Sequence, residues 1–310
     1  MSVERPDDLD RGAAVPAANT AFKLTAAICQ SEGITLDPAP LLAGQRVETH
    51  HTFSLPQLRV ALQGAPGGVP VVLSHALGLD LSMWDALAAD LAPHHPVLRY
   101  DHRGQGGSAP VSAGYGIAAL VADAARVIVE WGRGPVVFVG LSMGGMVGQG
   151  LAIAHPQLVR GLLLANTVAW NPPASRDGLA QRAAAVRAGG MAAIVESVVE
   201  RFLSPECRAR QPELAAAVRA RLLHAEPGGY AEACLAIVET DWRTQLGDIV
   251  CPVQVVAGSA DLGCTVAMAQ EIVAGIADAQ VTVLDAAHVS VLEQPAGFAD
   301  ALQHLLGRLG

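Results

Sequence analysis

One run of residues restricts the fold of this chain more than any other. Pro135-Val136-Val137-Phe138-Val139, an apolar strand pattern, leads directly into Gly140-Leu141-Ser142-Met143-Gly144-Gly145, and a helical pattern follows over residues 144–154. A serine on so sharp a strand-to-helix turn adopts strained backbone angles. Side chains two residues before and after it would collide, which is why glycine suits both positions. The turn lifts the hydroxyl above a sheet and aims a helix N-terminus at it, so negative charge is stabilised there. G-x-S-x-G spacing alone is a weak signal; the strand before it and the helix behind it make it strong.

The rest of the chain fits a sheet of that kind. Residues 69–74, Val97–Tyr100, 158–164, 253–257 and 281–284 read as short, continuously apolar strands. Residues 82–91, Ile117–Trp131 and 297–306 read as helices between or after them. Apolar strands alternating with helices predict an α/β fold, a mostly parallel, doubly wound sheet covered on both faces. The rhythm breaks between Asn166 and about residue 247, where only helical pattern appears, punctuated by Pro172-Pro173, Gly189-Gly190, Pro205 and Pro227-Gly228-Gly229. A helical cap over residues 167–247, inserted before the strand that leads to the acid, is the natural reading. It divides a core of residues 46–166 and 248–310. Residues 1–45 are rich in alanine and proline and read as a linker-like extension with one short helix near residues 21–30.

A serine nucleophile needs a base, and the base needs an orienting acid. On such a sheet they follow the serine in the order acid, then histidine. The strand at 253–257 ends in Gly258-Ser259-Ala260-Asp261, and the last strand ends in Leu284-Asp285-Ala286-Ala287-His288. Both groups sit at carboxyl ends of parallel strands, where a ligand crevice is expected. Ser142, Asp261 and His288 are therefore the candidate nucleophile, acid and base. Asp285 competes with Asp261 but lies only three residues before His288, which favours a structural role for it. The remaining histidines read as surface or ordinary helix and loop residues, with His50-His51 and His94-His95 placed ahead of strands. An oxyanion needs two donors. The backbone N–H of Met143 supplies one, and that of Leu77 in Ser74-His75-Ala76-Leu77-Gly78 is the candidate for the other, with His75 fixing that loop. Asp101-His102-Arg103-Gly104-Gln105-Gly106-Gly107-Ser108 lacks the lysine and spacing of a phosphate loop and reads as a turn held by Asp101 and Arg103. No dinucleotide, metal or other cofactor site is indicated.

Charge narrows the partners. With 29 acidic and 20 basic residues the chain carries a formal charge of −9, and no basic stripe is present to neutralise phosphates, which argues against nucleic acid. An anionic substrate would be repelled by the overall field and must be met by a local arginine. The five cysteines are scattered, without C-x-x-C spacing, and the N-terminus lacks the apolar segment of a signal peptide. A protein of the cytoplasm acting on a small molecule, away from membranes, is expected. Oligomeric state is not legible.

Leu81-Ser82-Met83-Trp84-Asp85, Leu98-Arg99-Tyr100-Asp101-His102-Arg103-Gly104 and Gly140-Leu141-Ser142-Met143-Gly144-Gly145-Met146-Val147-Gly148-Gln149 together resemble the α/β-hydrolase family. With Leu164-Ala165-Asn166-Thr167, Val186-Arg187-Ala188-Gly189-Gly190-Met191 and the segment ending in His288, they are most similar to 3-oxoadipate enol-lactonases of aromatic-ring catabolism. The resemblance spans roughly residues 50–310 and implies a small enol-lactone bearing a carboxymethyl group as substrate. It implies attack by Ser142 and release of an enolate that becomes a ketone. The alternatives are a general carboxylesterase, a C–C hydrolase or a haloperoxidase-like relative, and, from another class, a non-catalytic binding protein on the same fold. Such lactonases usually carry Thr-Pro shortly after the acid, where this chain reads Leu262-Gly263-Cys264-Thr265-Val266. For the substrate carboxylate, Arg182 lies on the apolar face of a cap helix with Leu179, Ala183 and Val186, and Arg187 on a flanking face. Trp170, at the cap entrance, is a candidate either to line the pocket or to pack under the cap.

Overall fold

Eight strands form one sheet in the order β1-β2-β4-β3-β5-β6-β7-β8. These are β1 (Glu48–His51), β2 (Arg59–Gln63), β3 (Val71–Ser74), β4 (Val97–Tyr100), β5 (Val136–Leu141), β6 (Val159–Ala165), β7 (Val253–Gly258) and β8 (Ala279–Leu284). The computed structural model describes residues 47–52, 56–111 and 114–309, all within one compact unit, Gln45–Gly310. The helix expected near residues 21–30 lies outside the described residues.

From β4 to β8 every pairing is parallel, while β1 and β2 add an antiparallel edge. That edge is where the sequence reading falls short. His50 and His51 do not precede a strand but lie in β1, whose four residues are all exposed. An exposed edge strand has no buried face, so it leaves no apolar periodicity to read. The central strands β3, β4, β5 and β7 are buried throughout. Covered on both faces, they bring their carboxyl ends to one crevice.

The flanking helices are α1 (Asp85–Leu91), α2 (Ile117–Trp131), α3 (Met143–Ala154), α9 (Val266–Gly275), α10 (Ser290–Glu293) and α11 (Pro295–Gly307). Helix α2 shows why these segments pack. It buries Leu120, Val121, Ala124, Val127 and Ile128 along one stripe and ends at Gly132, whose left-handed φ of 69° closes the last turn. The expected helix at 82–91 divides into a 3₁₀ turn, Leu81–Trp84, capped by Asp80, followed by α1. Between β6 and β7 the chain is helical as expected, with α4 (Pro173–Gly189), α5 (Val195–Phe202), α6 (Pro205–Arg210), α7 (Pro212–His224) and α8 (Pro227–Val238). Proline stands in the first turn of four of these five, where a missing N–H costs nothing and a fixed φ favours the start. A single bridge between Trp170 and Asp241 draws the entry and exit of this insertion together.

Candidate active site

The turn at Ser142 has the strain the glycine pattern predicts. Ser142 takes φ 57° and ψ −114°, left-handed for a residue with a side chain. A Cβ on Gly140 would overlap the carbonyl of Gly144, and one on Gly144 would overlap the carbonyl of Ser74. Each glycine thus permits a backbone contact that any side chain would forbid. The elbow is tied down from β6: Ser142 N–H donates to Ala165 O (2.9 Å), and Thr167 Oγ1 donates to Ser142 O (2.7 Å).

The three residues singled out from sequence meet. Ser142 Oγ lies 2.9 Å from His288 Nε2, and His288 Nδ1 lies 2.7 Å from Asp261 Oδ2. A carboxylate at Nδ1 fixes the proton there, so Nε2 is the acceptor facing the serine hydroxyl. Asp285 is exposed; its carboxylate accepts from Ser259 Oγ (3.3 Å) and its carbonyl from Gln294 Nε2 (3.0 Å). Asp261 is 3 % exposed and His288 2 %. Burial by itself would raise the Asp261 carboxyl. The adjacent His288 charge, its hydrogen bond, and the amides of Cys264 and Gly263 outweigh that and hold it down to about 2.

Several residues without a catalytic role legible in the sequence complete the setting. Asn166, at the carboxyl end of β6 with φ 45°, donates from Nδ2 to Asp261 Oδ2 (3.2 Å) and to Ala287 O (3.0 Å). Its Oδ1 accepts from Ser290 Oγ (2.5 Å). Its position at a parallel strand end was the available signal. The others come from the cap or its far side. Phe202, closing α5, stacks on His288 with ring centroids 5.4 Å apart, and its carbonyl accepts from Val289 N–H (3.0 Å). The buried Glu293 accepts from Ala287 N–H (2.9 Å) and from Ser204 Oγ (2.6 Å). Cap and base are thereby stitched together on both sides of His288.

The end of β3, just before the loop that carries Leu77, packs against the first turn of α3, where a Cβ on Gly144 would overlap the Ser74 carbonyl. His75 Nδ1 donates to Ala76 O (2.8 Å), and its Nε2 accepts from His102 N–H (2.9 Å). Gly78 N–H is taken by Gln105 Oε1 (2.8 Å). Among the described residues the amides of Leu77 and Met143 have no protein acceptor, which leaves both available to an oxyanion. Asp101 ties the neighbouring turn by accepting from Leu81 N–H (2.6 Å) and Gly107 N–H (2.8 Å), while Arg103 pairs with Asp123 (2.6 Å).

The pocket candidates divide. Arg182 is half-buried on the face of α4 that carries Leu179, Ala183 and Val186, and its charge acts on the buried Tyr230 and Cys234. Arg187 is corrected: one residue past Val186, it turns by about 100° to the exposed side and pairs with Glu232 (2.5 Å). Trp170 takes the second of its two alternatives. Its indole N–H donates to Glu271 Oε2 (3.4 Å) and its ring lies 3.8 Å beneath the Arg243 guanidinium, so it packs at the base of the cap. An open cleft of about 280 Å³ between Gly78–Asp80 and the end of α7 touches the oxyanion loop but neither Ser142 nor His288.

Asp261, Cys264 and His288 have donor atoms within 4.8 Å of one another. Two of these side chains are already committed to each other, and burial pushes the Cys264 thiol up, which keeps it protonated and a poor metal ligand.

A serine strained onto an elbow, a histidine facing it and a buried carboxylate behind that histidine are the arrangement of the α/β-hydrolase-fold family, and the chain belongs to it: residues 69–295 match the family model. It is similar to 3-oxoadipate enol-lactonase 2 of Acinetobacter baylyi, 33% identical over 255 residues, covering 81% of this chain and 93% of that one. Among solved structures it is similar to an enol-lactonase from Burkholderia xenovorans LB400, with TM-score 0.78 and 34% identity over 81% of this chain and 96% of the other. A thermophilic esterase from Thermogutta terrifontis, solved with malate bound, has TM-score 0.78 and 28% identity over 85% of this chain and 99% of its own. No helix among the described residues is long and apolar enough to cross a membrane.

Proposed function

We propose that this chain opens a small carboxylated enol-lactone, 3-oxoadipate enol-lactone or a close relative, by covalent catalysis at Ser142. The observation that carries the reading is the relay from Ser142 Oγ to His288 (2.9 Å) and on to Asp261 (2.7 Å). His288 Nε2 takes the hydroxyl proton as Oγ attacks the lactone carbonyl, and the Leu77 and Met143 amides receive the oxyanion. The ring C–O bond breaks, and the departing enolate takes the proton from His288 Nε2 and becomes a ketone, which leaves His288 a free base again. Water, deprotonated by His288, then cleaves the acyl-enzyme and releases a 3-oxo diacid. Asp261 keeps the imidazole in the required tautomer and stabilises it when charged.

The enol-lactonases among the similar proteins favour this substrate, and the half-buried Arg182 supplies a cation for its carboxylate. The four described cysteines are unpaired, which suits a reducing cytoplasm. The second reading, a general carboxylesterase, draws on the similarity to the Thermogutta esterase. Loss of enol-lactone absorbance, measured beside Ser142→Ala, separates the two. The wild type should turn the lactone over and the variant should lose about 10⁴-fold or more. Ser142-dependent cleavage of simple esters without lactone turnover would leave the esterase reading in place of the lactonase.

A further inference from the structure

The two edges of the sheet are built differently. At one end β1 carries Glu48, His50 and His51 in a strand exposed throughout, and charged side chains of that kind keep an open edge from pairing. At the other end β8 reads Ala279-Gln280-Val281-Thr282-Val283-Leu284, without a charge, a proline or a glycine. Val281 is 37% and Val283 48% exposed, so two β-branched side chains stand in water on an unguarded strand.

The free main-chain groups of this edge can be assigned. Val253 N–H donates to Asp278 O (2.8 Å) and Ser259 N–H to Leu284 O (2.8 Å). Successive residues of a strand turn their main-chain groups to opposite sides, so the even-numbered residues of β8 face β7. Those groups of Ala279, Val281 and Val283 point outward, and no loop or side chain among the described residues takes them. The side chains divide in the same way. Leu284 packs on Gly297, and Gln280 Oε1 lies 2.7 Å from His304 Nε2, both on α11. The valines therefore lie on the opposite face, beside α9. That helix exposes Ala267, Gln270, Glu271 and Ala274, and the one charge among them, Glu271, is engaged by the Trp170 indole.

Such a strand is complementary to itself. Turned over by a two-fold axis through Thr282, it sets Val281 opposite the partner's Val283 and Val283 opposite the partner's Val281. These residues have their N–H and C=O pointing outward, so each pair exchanges both ladder bonds, and the valines meet as cross-strand pairs. A shift of the axis by one residue either way keeps a single valine pair and sets the other valine opposite Ala279 or Asp285. In the register about Thr282, Asp285 falls opposite the partner's Ala279, and the adjoining Asp278 is already neutralised by Arg308. Two chains of charge −9 repel each other, which favours contact at an uncharged edge.

We propose that β8 is a homodimer interface, pairing antiparallel with β8 of a second copy about Thr282 to make one continuous sheet. The proposal does not depend on what Ser142 acts upon.

Light scattering of the full chain after gel filtration tests it. At about 50 µM, where a micromolar interface is mostly formed, the wild type should have twice the 31.9 kDa mass of one chain. Val281→Lys with Val283→Lys puts lysine opposite lysine in each pair and should weaken association about hundredfold or more, giving a monomer. Val281→Glu with Val283→Lys sets glutamate opposite lysine in both pairs of this register and should restore the dimer. All three proteins should share one far-UV circular dichroism spectrum. A monomeric wild type overturns the proposal and leaves the edge to a strand of another protein. A dimer that survives the two lysines, or one that glutamate opposite lysine fails to restore, overturns it as well, because the interface or its register is then a different one.

Discussion

Replacing Asp261 with asparagine tests the site through a single atom. Four donors converge on this carboxylate: Gly263 N–H (2.9 Å) and Cys264 N–H (3.0 Å) on Oδ1, and His288 Nδ1 (2.7 Å) and Asn166 Nδ2 (3.2 Å) on Oδ2. Asparagine keeps the shape but offers only one acceptor. If its oxygen stays on the Gly263 and Cys264 amides, its NH₂ faces His288 and Asn166. Asn166 cannot turn to receive it, because its Oδ1 is held by Ser290 and its Nδ2 also donates to Ala287 O. His288 must then accept at Nδ1 and carry its proton on Nε2, facing Ser142 as a donor, with no means of taking the serine proton. A wrong tautomer of this kind costs about 10⁴-fold in kcat. The opposing Asn166 donor adds a buried unsatisfied group, about 1–3 kcal/mol of lost stability. Steady-state hydrolysis of a 4-nitrophenyl ester gives the first quantity and urea unfolding the second. A folded Asp261→Asn enzyme retaining more than about a tenth of wild-type kcat would refute the argument that Asp261 sets the tautomer.

Two further predictions concern the frame around the site. Gly144→Ala should normally gain about 1 kcal/mol of helix propensity, but its Cβ would overlap the Ser74 carbonyl. The expected sign is therefore a loss of about 1–3 kcal/mol, with reduced labelling by a serine-directed phosphonate, and a stabilised, fully reactive variant would contradict it. His75 and His102 are fully buried, and desolvation lowers both below the usual histidine value of 6.5. The unfolded chain then binds more protons at mildly acidic pH, so their contribution to stability is complete above about pH 6.5. It falls as pH drops below that, by up to about 1.4 kcal/mol per unit for each histidine. The buried Asp101, whose carboxyl burial raises, opposes this only in the carboxylate range. Urea unfolding at pH 7.5 and 5.5 should show the slope and His102→Gln should lessen it; equal slopes in the two proteins would count against a neutral buried His102.

Much of the catalytic core was legible because its chemistry is local. The glycines around Ser142 answer to contacts within five residues or with the adjacent strand end, and Asp261 and His288 each close an apolar strand in the order the fold requires. The buried strands announced themselves by continuous apolar composition, and the cap by the lack of it. The exposed strand β1 escaped, since without a buried face nothing in its residues distinguishes it from a loop.

What surrounds the three candidate residues was a different matter. Helical position set Arg182 on the apolar face and Arg187 on a flanking one, but only the packing of α4 on α8 gave Arg187 its Glu232 partner. For Trp170 two roles were open from sequence, and its contacts with Arg243 and Glu271 decide for packing under the cap. Phe202 and Glu293 carry no motif at all, and Asn166, though part of a familiar segment, showed no role in it. Their roles depend on contacts between distant segments, such as Ser204 with Glu293, 89 residues apart, and Asn166 with Ser290, 124 apart. The sequence by itself determined the sheet, the elbow and the order of nucleophile, acid and base, because backbone sterics and burial act over a few residues. Only the tertiary structure decided which charges pair with each other and what holds the base in place, because charge and packing act across space, where separation along the chain has no bearing.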